Sequence, residues 1–112
     1  LYAYLLARTY YEELMDAGVK IYEFTEGFVH AKVVVRDHNC ATVGTVNFDY
    51  RSFYLHYECG CYLFDHPVIP SIEKDFQATL QKCQKITIQN CKEYPLWKKA
   101  AGKILRLFAP LM

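Results

Sequence analysis

The chain has 112 residues, of which 53% are hydrophobic and 16% aromatic, and its formal net charge is +1. This length and composition allow one domain with a hydrophobic core and exclude an intrinsically disordered chain. The near-neutral charge argues against nucleic acid as a partner, and no apolar stretch approaches the roughly 20 residues that a helix needs to span a bilayer.

The N-terminal residues do not have the features of a targeting peptide. The chain does not start with Met, and residues 1–8 already have the pattern of an amphipathic element, without a charged start or a cleavage site. We therefore expect a piece of a longer protein, which forms a single domain over residues 1–112 and is itself soluble or lies on a membrane surface.

The N-terminal quarter predicts a helix followed by a strand. Apolar residues recur at helical spacing over residues 2–15, and Gly18 supplies the stop that is typical of a helix C-terminus. Residues 19–24 alternate apolar and polar side chains, as a half-buried strand does, and residues 25–27 predict a turn.

The centre of the chain predicts a hairpin and a further strand. Residues 30–36 are rich in valine, residues 41–46 form the second strand, and the polar residues 37–39 join them. Because side chains alternate along a strand, His30 and Lys32 should project from one face, while Ala31, Val33 and Val35 pack on the other. Residues 57–64 predict another strand, and residues 65–67 predict a turn.

The last third predicts two helices separated by an irregular segment. Residues 68–84 carry a helical pattern, residues 87–93 look irregular, and an amphipathic helix begins at Pro95 and is closed by Pro110. Its apolar stripe contains Ile104, Leu105 and Phe108, and a membrane-facing role for this helix stays open. The order of elements predicts an α/β fold in which helices cover a sheet.

Five cysteines, at positions 40, 59, 61, 83 and 91, contain no C-x2-C pair. Cys59 and Cys61 would lie on the same strand face, too close along the strand for comfortable pairing. We interpret the cysteines as reduced thiols. We interpret His38, His56 and His66 as structural residues, since none has metal-ligand spacing to another candidate ligand. No metal is expected.

One short stretch combines a nucleophile with phosphate-binding groups. Splitting a phosphodiester without a metal requires a nucleophile, a positive clamp on the non-bridging oxygens and an acid for the departing alkoxide. The residues with these capacities follow the pattern H-x-K-x4-D-x6-G-T-x-N, formed by His30, Lys32, Asp37, Gly44, Thr45 and Asn47.

The roles of His30, Lys32 and Asn47 follow from the chemistry of their side chains. His30 can act as the nucleophile, because an imidazole is a good nucleophile near neutral pH. Lys32 can neutralise one phosphate oxygen, and the amide of Asn47 can donate a hydrogen bond to another.

The remaining motif residues have supporting roles. Thr45 shares the face of Asn47 and assists in phosphate binding through its hydroxyl or its backbone. Gly44 would let the backbone approach the phosphate where a side chain would crowd it. Asp37, at the end of the strand, would orient its neighbours and balance charge.

The motif and its context resemble the phospholipase D superfamily, and within it the bacterial cardiolipin synthases. Three segments carry the resemblance: residues 27–32 (GFVHAK), 44–52 (GTVNFDYRS) and 106–111 (RLFAPL). The resemblance implies a sandwich in which helices cover a mixed sheet, built from two like halves, with this chain as the C-terminal half. It also implies Glu58 as the carboxylate that supports His30. His56 departs from the family pattern, in which Asn stands two residues before that carboxylate.

The second segment includes the Asp-x-Arg-Ser motif of the family, which here comprises Asp49, Arg51 and Ser52. A helix or loop start pinned by Asp49 and Arg51 is at least as good an interpretation of this motif as contact with substrate.

The resemblance further implies a phosphatidyltransferase of the bacterial cell membrane that needs no cofactor. The intact enzyme would condense two phosphatidylglycerol molecules into cardiolipin and glycerol through a phosphohistidine intermediate. Two such motifs meet in the family, where one His attacks and the other protonates the leaving group, so which role His30 has stays open. The partner motif would come from the N-terminal half of the same protein or from a second copy, and the isolated fragment is expected to be inactive.

Two alternatives stay open. The chain could belong to another phosphodiesterase of the superfamily, a phospholipase or a nuclease, in which water replaces the second alcohol. It could also be a non-catalytic domain for assembly or membrane docking, in which case His30 and Lys32 would be dispensable.

Overall fold

The computed structural model describes residues 2–108. These residues form two compact units: the first comprises residues 2–23 and 84–108, and the second comprises residues 24–83. Along the chain the helices and strands are α1 (Tyr2–Arg8), α2 (Tyr11–Asp16), β1 (Tyr22–Phe24), β2 (Lys32–Arg36), β3 (Cys40–Gly44), β4 (Gly60–Phe64), α3 (Ile69–Leu80), β5 (Cys83–Lys85), α4 (Ile88–Glu93) and α5 (Leu96–Leu107), with a short π-helix at Arg51–Leu55 between β3 and β4.

The prediction of one helix over residues 2–15 is wrong, because the helix breaks at Thr9 and Tyr10. The Thr9 hydroxyl donates to the carbonyl of Leu6 at 2.6 Å, and the backbone N–H groups of Thr9 and Tyr10 donate three residues back. This tighter bonding ends α1, and α2 begins at Tyr11. The predicted stop at Gly18 is confirmed: its φ is +92°, and its N–H donates to the carbonyl of Met15.

In the first unit, α5 packs closely on α1 at Gly102. A Cβ atom on Gly102 would lie 2.5 Å from the Thr9 methyl carbon and 3.0 Å from the Leu5 carbonyl oxygen. Leu5, Ile86 and Cys91 are buried in this unit, and burial raises the pKa of the Cys91 thiol. A side chain at position 102 would separate the two helices.

The prediction that residues 87–93 are irregular is also wrong, because Ile88–Glu93 form α4. Its start is a capping box: the Thr87 hydroxyl accepts from the Asn90 N–H, and the Asn90 side chain accepts from the Thr87 N–H at 2.9 Å. These two bonds satisfy backbone donors that a helix start otherwise leaves free. The last helix begins after Pro95 as predicted, and Pro110 lies outside the described residues.

The second unit is organised around a three-stranded antiparallel sheet in the order β2-β3-β4. The predicted hairpin is confirmed, with Lys32 opposite Gly44 and Arg36 opposite Cys40. Its turn uses left-handed backbone at Asp37 and His38, a conformation that these residue types adopt more readily than most. The strands are shorter than predicted, since β2 begins at Lys32 instead of His30 and β4 begins at Gly60 instead of Tyr57.

One face of this sheet is packed and the other is open. Ala41 is 2% exposed, and its cross-strand neighbours Val35 and Leu63 are half-buried on the same face. On the opposite face, Tyr62 and Phe64 are exposed. Helix α3 contacts β2 and contributes the buried Ile69.

The predicted mixture of α and β elements is present, but the single mixed sheet is not. The helix predicted over residues 68–84 ends at Leu80, and Cys83–Lys85 form a strand that pairs with β1 in a separate two-stranded sheet. Among residues 2–108, no helix combines the length and the apolar character that crossing a bilayer requires.

Candidate active site

His30 lies just before β2, and its side chain is exposed. Because the strand starts two residues later, strand alternation does not orient His30 as the sequence predicted. Lys32 is nevertheless next to it: the Lys32 Nζ donates to the backbone carbonyl of His30 at 2.6 Å. The ring of Phe28 lies 5.8 Å from the His30 ring between centroids.

Lys32 and Asn47 line one groove of about 540 Å³ in the second unit. Among the described residues that line it, Lys32 carries the one formal charge, and Gly44, opposite Lys32 in the sheet, contributes to the same wall. The remaining wall is mostly apolar, with Val34, Val43, Val46, Phe48, Phe53 and Tyr62 among its members. The groove thus joins a cation and an amide to an apolar surface.

Glu58 is held by two hydroxyl groups. Thr45 Oγ1 donates to one carboxylate oxygen, and Ser52 Oγ donates to the other at 2.9 Å. Hydrogen bonds to a carboxylate favour its ionised form, so the bonds from Thr45 and then Ser52 lower the pKa of Glu58 below its ordinary value. A negative charge is therefore maintained here at neutral pH.

Ser52 extends this network to the motif asparagine. The backbone N–H of Asn47 donates to Ser52 Oγ at 3.1 Å, and Ser52 is only 7% exposed. Its own backbone N–H donates to the Asp49 carboxylate at 2.7 Å, which confirms that Asp49 pins the start of the short helix. A single buried hydroxyl therefore connects Asn47 to Glu58.

Sequence reasoning missed this role of Ser52. The sequence predicts Ser52 at a helix start or in contact with substrate, and not as a support for Glu58. The available signal was a small hydroxyl residue six positions before the predicted carboxylate, inside a segment that turns back toward it.

Thr45 bonds to Glu58 and to the backbone of Cys59. Its hydroxyl bonds to Glu58 and also accepts from the Cys59 N–H at 3.0 Å, while its own N–H donates to the Cys59 carbonyl at 2.9 Å. These bonds hold Thr45 between the Glu58 carboxylate and the backbone of Cys59. A phosphate-binding role for Thr45 stays a prediction, as does the bond between Glu58 and His30.

In the structure, strand packing requires glycine at position 44, independently of the predicted contact with phosphate. A Cβ atom at this position would lie 2.5 Å from the Cys59 carbonyl oxygen and 2.6 Å from the Gly60 Cα. The absent side chain therefore allows β3 and β4 to approach each other.

Asp37 lies in the turn at the opposite end of β2 from Lys32, a distance of roughly 16 Å at 3.3 Å per residue. Its exposed carboxylate pairs with the Nε of Arg36 at 2.8 Å. The structure does not bring Asp37 together with His30 and Lys32, and the orienting and charge-balancing role predicted for Asp37 in the site stays a prediction.

The other three histidines each have a hydrogen-bond partner. His38 pairs with Glu73, His56 Nε2 accepts from the Arg51 Nε at 3.1 Å, and His66 accepts from the Val68 N–H. All five cysteines are free thiols.

In the second unit, Lys32 and Asn47 line one groove at one end of the three-stranded sheet, and His30 lies beside Lys32. Residues 3–80 match the family model described as cardiolipin synthase, PLD-like domain. The chain belongs to this family of PLD-like domains.

Curated relatives match almost the whole chain. An uncharacterized protein of Streptococcus mutans is 44% identical over 109 residues, which are 97% of this chain and 24% of the relative. Cardiolipin synthase 2 of Bacillus anthracis is 39% identical over 95% of this chain and 21% of its own length. Cardiolipin synthase of Clostridium perfringens strain SM101 is 37% identical over 96% of this chain and 22% of its own length.

The chain therefore spans between a fifth and a quarter of the length of these relatives. No solved structure matches it.

Proposed function

We propose that this chain supplies one half-site of a phosphatidyltransferase that condenses two phosphatidylglycerol molecules into cardiolipin and glycerol. The observation that carries the proposal is the convergence of Lys32 and Asn47, fifteen residues apart in sequence, on one groove beside His30. The family of the chain points to the same chemistry, because several of its relatives, including the two described above, are named as cardiolipin synthases.

The reaction consists of two displacements at phosphorus. In the first, an imidazole nitrogen forms a bond to phosphorus while the bond to the glycerol oxygen breaks, and the leaving alkoxide takes a proton from an acid. In the second, the hydroxyl of another phosphatidylglycerol gives its proton to the group that acted as the acid in the first step and attacks phosphorus, and the bond to nitrogen breaks. His30 is either the nucleophile or the acid, and the second histidine comes from another half of the longer protein or from another copy.

Lys32 and Asn47 act on the phosphate in this proposal. The ammonium of Lys32 neutralises a non-bridging oxygen, and the Asn47 amide donates a hydrogen bond to a second one, so both stabilise charge that builds at phosphorus. Glu58 positions Asn47 through Ser52. The Glu58 carboxylate accepts a hydrogen bond from the Ser52 hydroxyl, which itself accepts one from the backbone N–H of Asn47. In the proposed mechanism Glu58 also accepts from the second nitrogen of His30 and stabilises the charged imidazole.

Because both substrates are membrane lipids, we place the longer protein at the bacterial cell membrane. The groove beside Lys32 and Asn47 is mostly apolar, which suits a substrate with a charged headgroup and a hydrocarbon body.

The test uses the longer protein that contains this chain, incubated with phosphatidylglycerol vesicles while cardiolipin is measured. His30→Ala should lower kcat at least about 100-fold, as removal of a nucleophile or general acid does. The matched control is His38→Asn, which removes an exposed imidazole from the hairpin turn and its pairing with Glu73, while asparagine tolerates the left-handed backbone at this position. Cardiolipin formation by His30→Ala at the level of the parent protein would show that His30 is not catalytic.

The products distinguish the other members of the superfamily. Phosphatidic acid without cardiolipin would indicate a phospholipase that uses water as the acceptor. Cleavage of DNA, with no lipid product, would indicate a nuclease and overturn the lipid assignment.

A further inference from the structure

Helix α5 is amphipathic with its apolar side turned outward. Four large apolar side chains on it are exposed, with Leu96 at 83%, Trp97 at 69%, Leu107 at 79% and Ile104 above one half, and Phe108, which follows the last helical residue, is also more than half exposed. At 100° per residue these five positions fall within one third of the helix circumference. We name them the outer stripe: Leu96, Trp97, Ile104, Leu107 and Phe108.

The opposite side of α5 faces its own unit and is largely polar. Arg106 donates to both carboxylate oxygens of Glu13 at 2.7 and 3.1 Å, and Lys99 lies 3.6 Å from Glu12. Gly102, on the same side, packs against α1. This orientation is the reverse of an ordinary surface helix, which turns its apolar stripe toward the core.

The predicted stripe of Ile104, Leu105 and Phe108 is thus only partly correct, because Leu105 is half-buried against the unit. An outward stripe of this size marks a surface that binds a partner or a membrane.

The charges on α5 favour a membrane as the partner. The helix contains four basic residues, Lys98, Lys99, Lys103 and Arg106, and no acidic one. Lys103 lies one turn before Leu107, at the edge of the outer stripe, and the Nζ of Lys98 lies 5.4 Å from the ring centroid of Trp97. An apolar stripe with a tryptophan and flanking lysines is the composition of helices that lie in the headgroup region of anionic bilayers.

We propose that α5 is an interfacial helix that inserts its outer stripe into the surface of a bilayer containing anionic phospholipid. The apolar side chains enter the boundary of the hydrocarbon region, and Lys103 and Lys98 remain at the level of the phosphates. This proposal concerns the first unit and does not depend on the catalytic role of the second.

The chain contains one tryptophan, so its fluorescence reports the outer stripe directly. Trp97 emission is measured on the 112-residue chain with vesicles of phosphatidylcholine, with and without an equal amount of phosphatidylglycerol. We expect a shift to shorter wavelength and quenching by brominated acyl chains with the anionic vesicles, weakened by salt. Unchanged emission, or equal binding to neutral vesicles, would overturn the proposal.

A pair of double variants separates the stripe from general hydrophobicity. Ile104→Glu with Leu107→Glu should lower vesicle partitioning at least about tenfold, because binding follows the apolar area that is buried. Leu14→Glu with Ile88→Glu makes the same change in charge at exposed apolar positions of the same unit and should leave partitioning close to that of the parent chain. An equal loss in both double variants would contradict the assignment of the stripe.

Self-association gives a different signature. Emission that is already at short wavelength without vesicles, and that changes with protein concentration, would mean that a second copy covers the stripe, and the membrane proposal would then fail. Brominated-lipid quenching of the parent chain needs no variant, so the test holds even if one double variant does not fold.

Discussion

At the scale of single residues, the most constrained group in the candidate site is the hydroxyl of Ser52. It accepts from the backbone of Asn47 and donates to Glu58, and it is buried. Removal of a buried hydrogen-bond partner leaves both neighbours unsatisfied, and such losses cost more than the bond itself contributes.

Ser52→Ala should therefore lower the free energy of unfolding by about 1–3 kcal/mol and raise the pKa of Glu58 toward its ordinary value. Chemical denaturation measures the first effect, and NMR titration of the Glu58 carboxyl carbon measures the second. Ser71→Ala, on the exposed side of α3, is the control and should change neither quantity. An unchanged Glu58 titration in the Ser52 variant would mean that the hydrogen bond has no effect on the carboxylate.

Lys32 is the second residue on which the proposed site depends. Lys32 lines the groove, and its ammonium donates a hydrogen bond to the carbonyl of His30.

Lys32→Met keeps most of the apolar length of the side chain and removes the charge, so activity of the longer protein should fall at least about 100-fold while stability changes little. Lys20→Met, at an exposed position, is the matched control. Cardiolipin assays on both variants, with thermal unfolding as the check on stability, decide the point. Full activity in Lys32→Met would remove this lysine from the proposed mechanism.

At the scale of elements, the approach of β3 to β4 depends on a glycine. The space for a side chain at Gly44 is occupied by backbone atoms of residues 59 and 60, which cannot rotate away as a side chain can.

Gly44→Ala should push the two strands apart and lower the free energy of unfolding by about 1–3 kcal/mol, the usual range for overpacking. Gly27→Ala is the control, because a Cβ atom there would meet only the Phe24 ring at an ordinary 3.8 Å. Urea denaturation of both variants tests this. Equal stabilities would mean that the sheet accommodates the methyl group.

The capping box of α4 is the other element-scale feature. The cap at Thr87 satisfies donors at the start of a helix of six residues, which is too short to be stable without such support.

Thr87→Ala should cost about 1 kcal/mol, whereas Thr87→Asn, which keeps a capping side chain, should recover most of it. Thermal unfolding followed by circular dichroism compares the two. The cap would be unimportant if alanine and asparagine gave the same midpoint as threonine.

At the scale of the whole molecule, each unit contains a carboxylate with a lowered pKa. In the second unit it is Glu58, and in the first it is Glu13, whose pKa is lowered chiefly by the hydrogen bond from Arg106. A carboxyl group with a folded-state pKa below its unfolded value stabilises the fold above the unfolded pKa, and this contribution disappears as the pH falls through the folded pKa.

The chain should accordingly lose stability as the pH drops below about 4.5, the ordinary range of a glutamate. Glu58→Gln and Glu13→Gln should each flatten this acid limb, because each removes one titrating group. Urea midpoints between neutral and acidic pH measure the effect. The two substitutions are also combined in one double variant. If the stability of this variant falls as steeply below about pH 4.5 as that of the parent chain, other carboxyl groups cause the loss of stability.

Features that depend on near neighbours in sequence were open to prediction. The hairpin followed from a valine-rich run, a polar turn and a second run, and Gly18 marked a helix end through its left-handed backbone. The motif from His30 to Asn47 indicated the family that the comparison with the family model shows. The broken first helix and the short α4 were missed, because one hydroxyl at Thr9 and one reciprocal pair at Thr87 and Asn90 decide them.

The sequence by itself determined the family, the motif proposed to be catalytic and the local signals for turns and helix ends, because those depend on residue type and on spacing of a few positions. Only the tertiary structure decided that β1 pairs with a strand some sixty residues later, that Glu58 bonds to Thr45 and Ser52, and that α5 turns its apolar stripe outward. Such pairings join residues that are far apart in sequence, and their free energy depends on which surfaces meet when the chain packs.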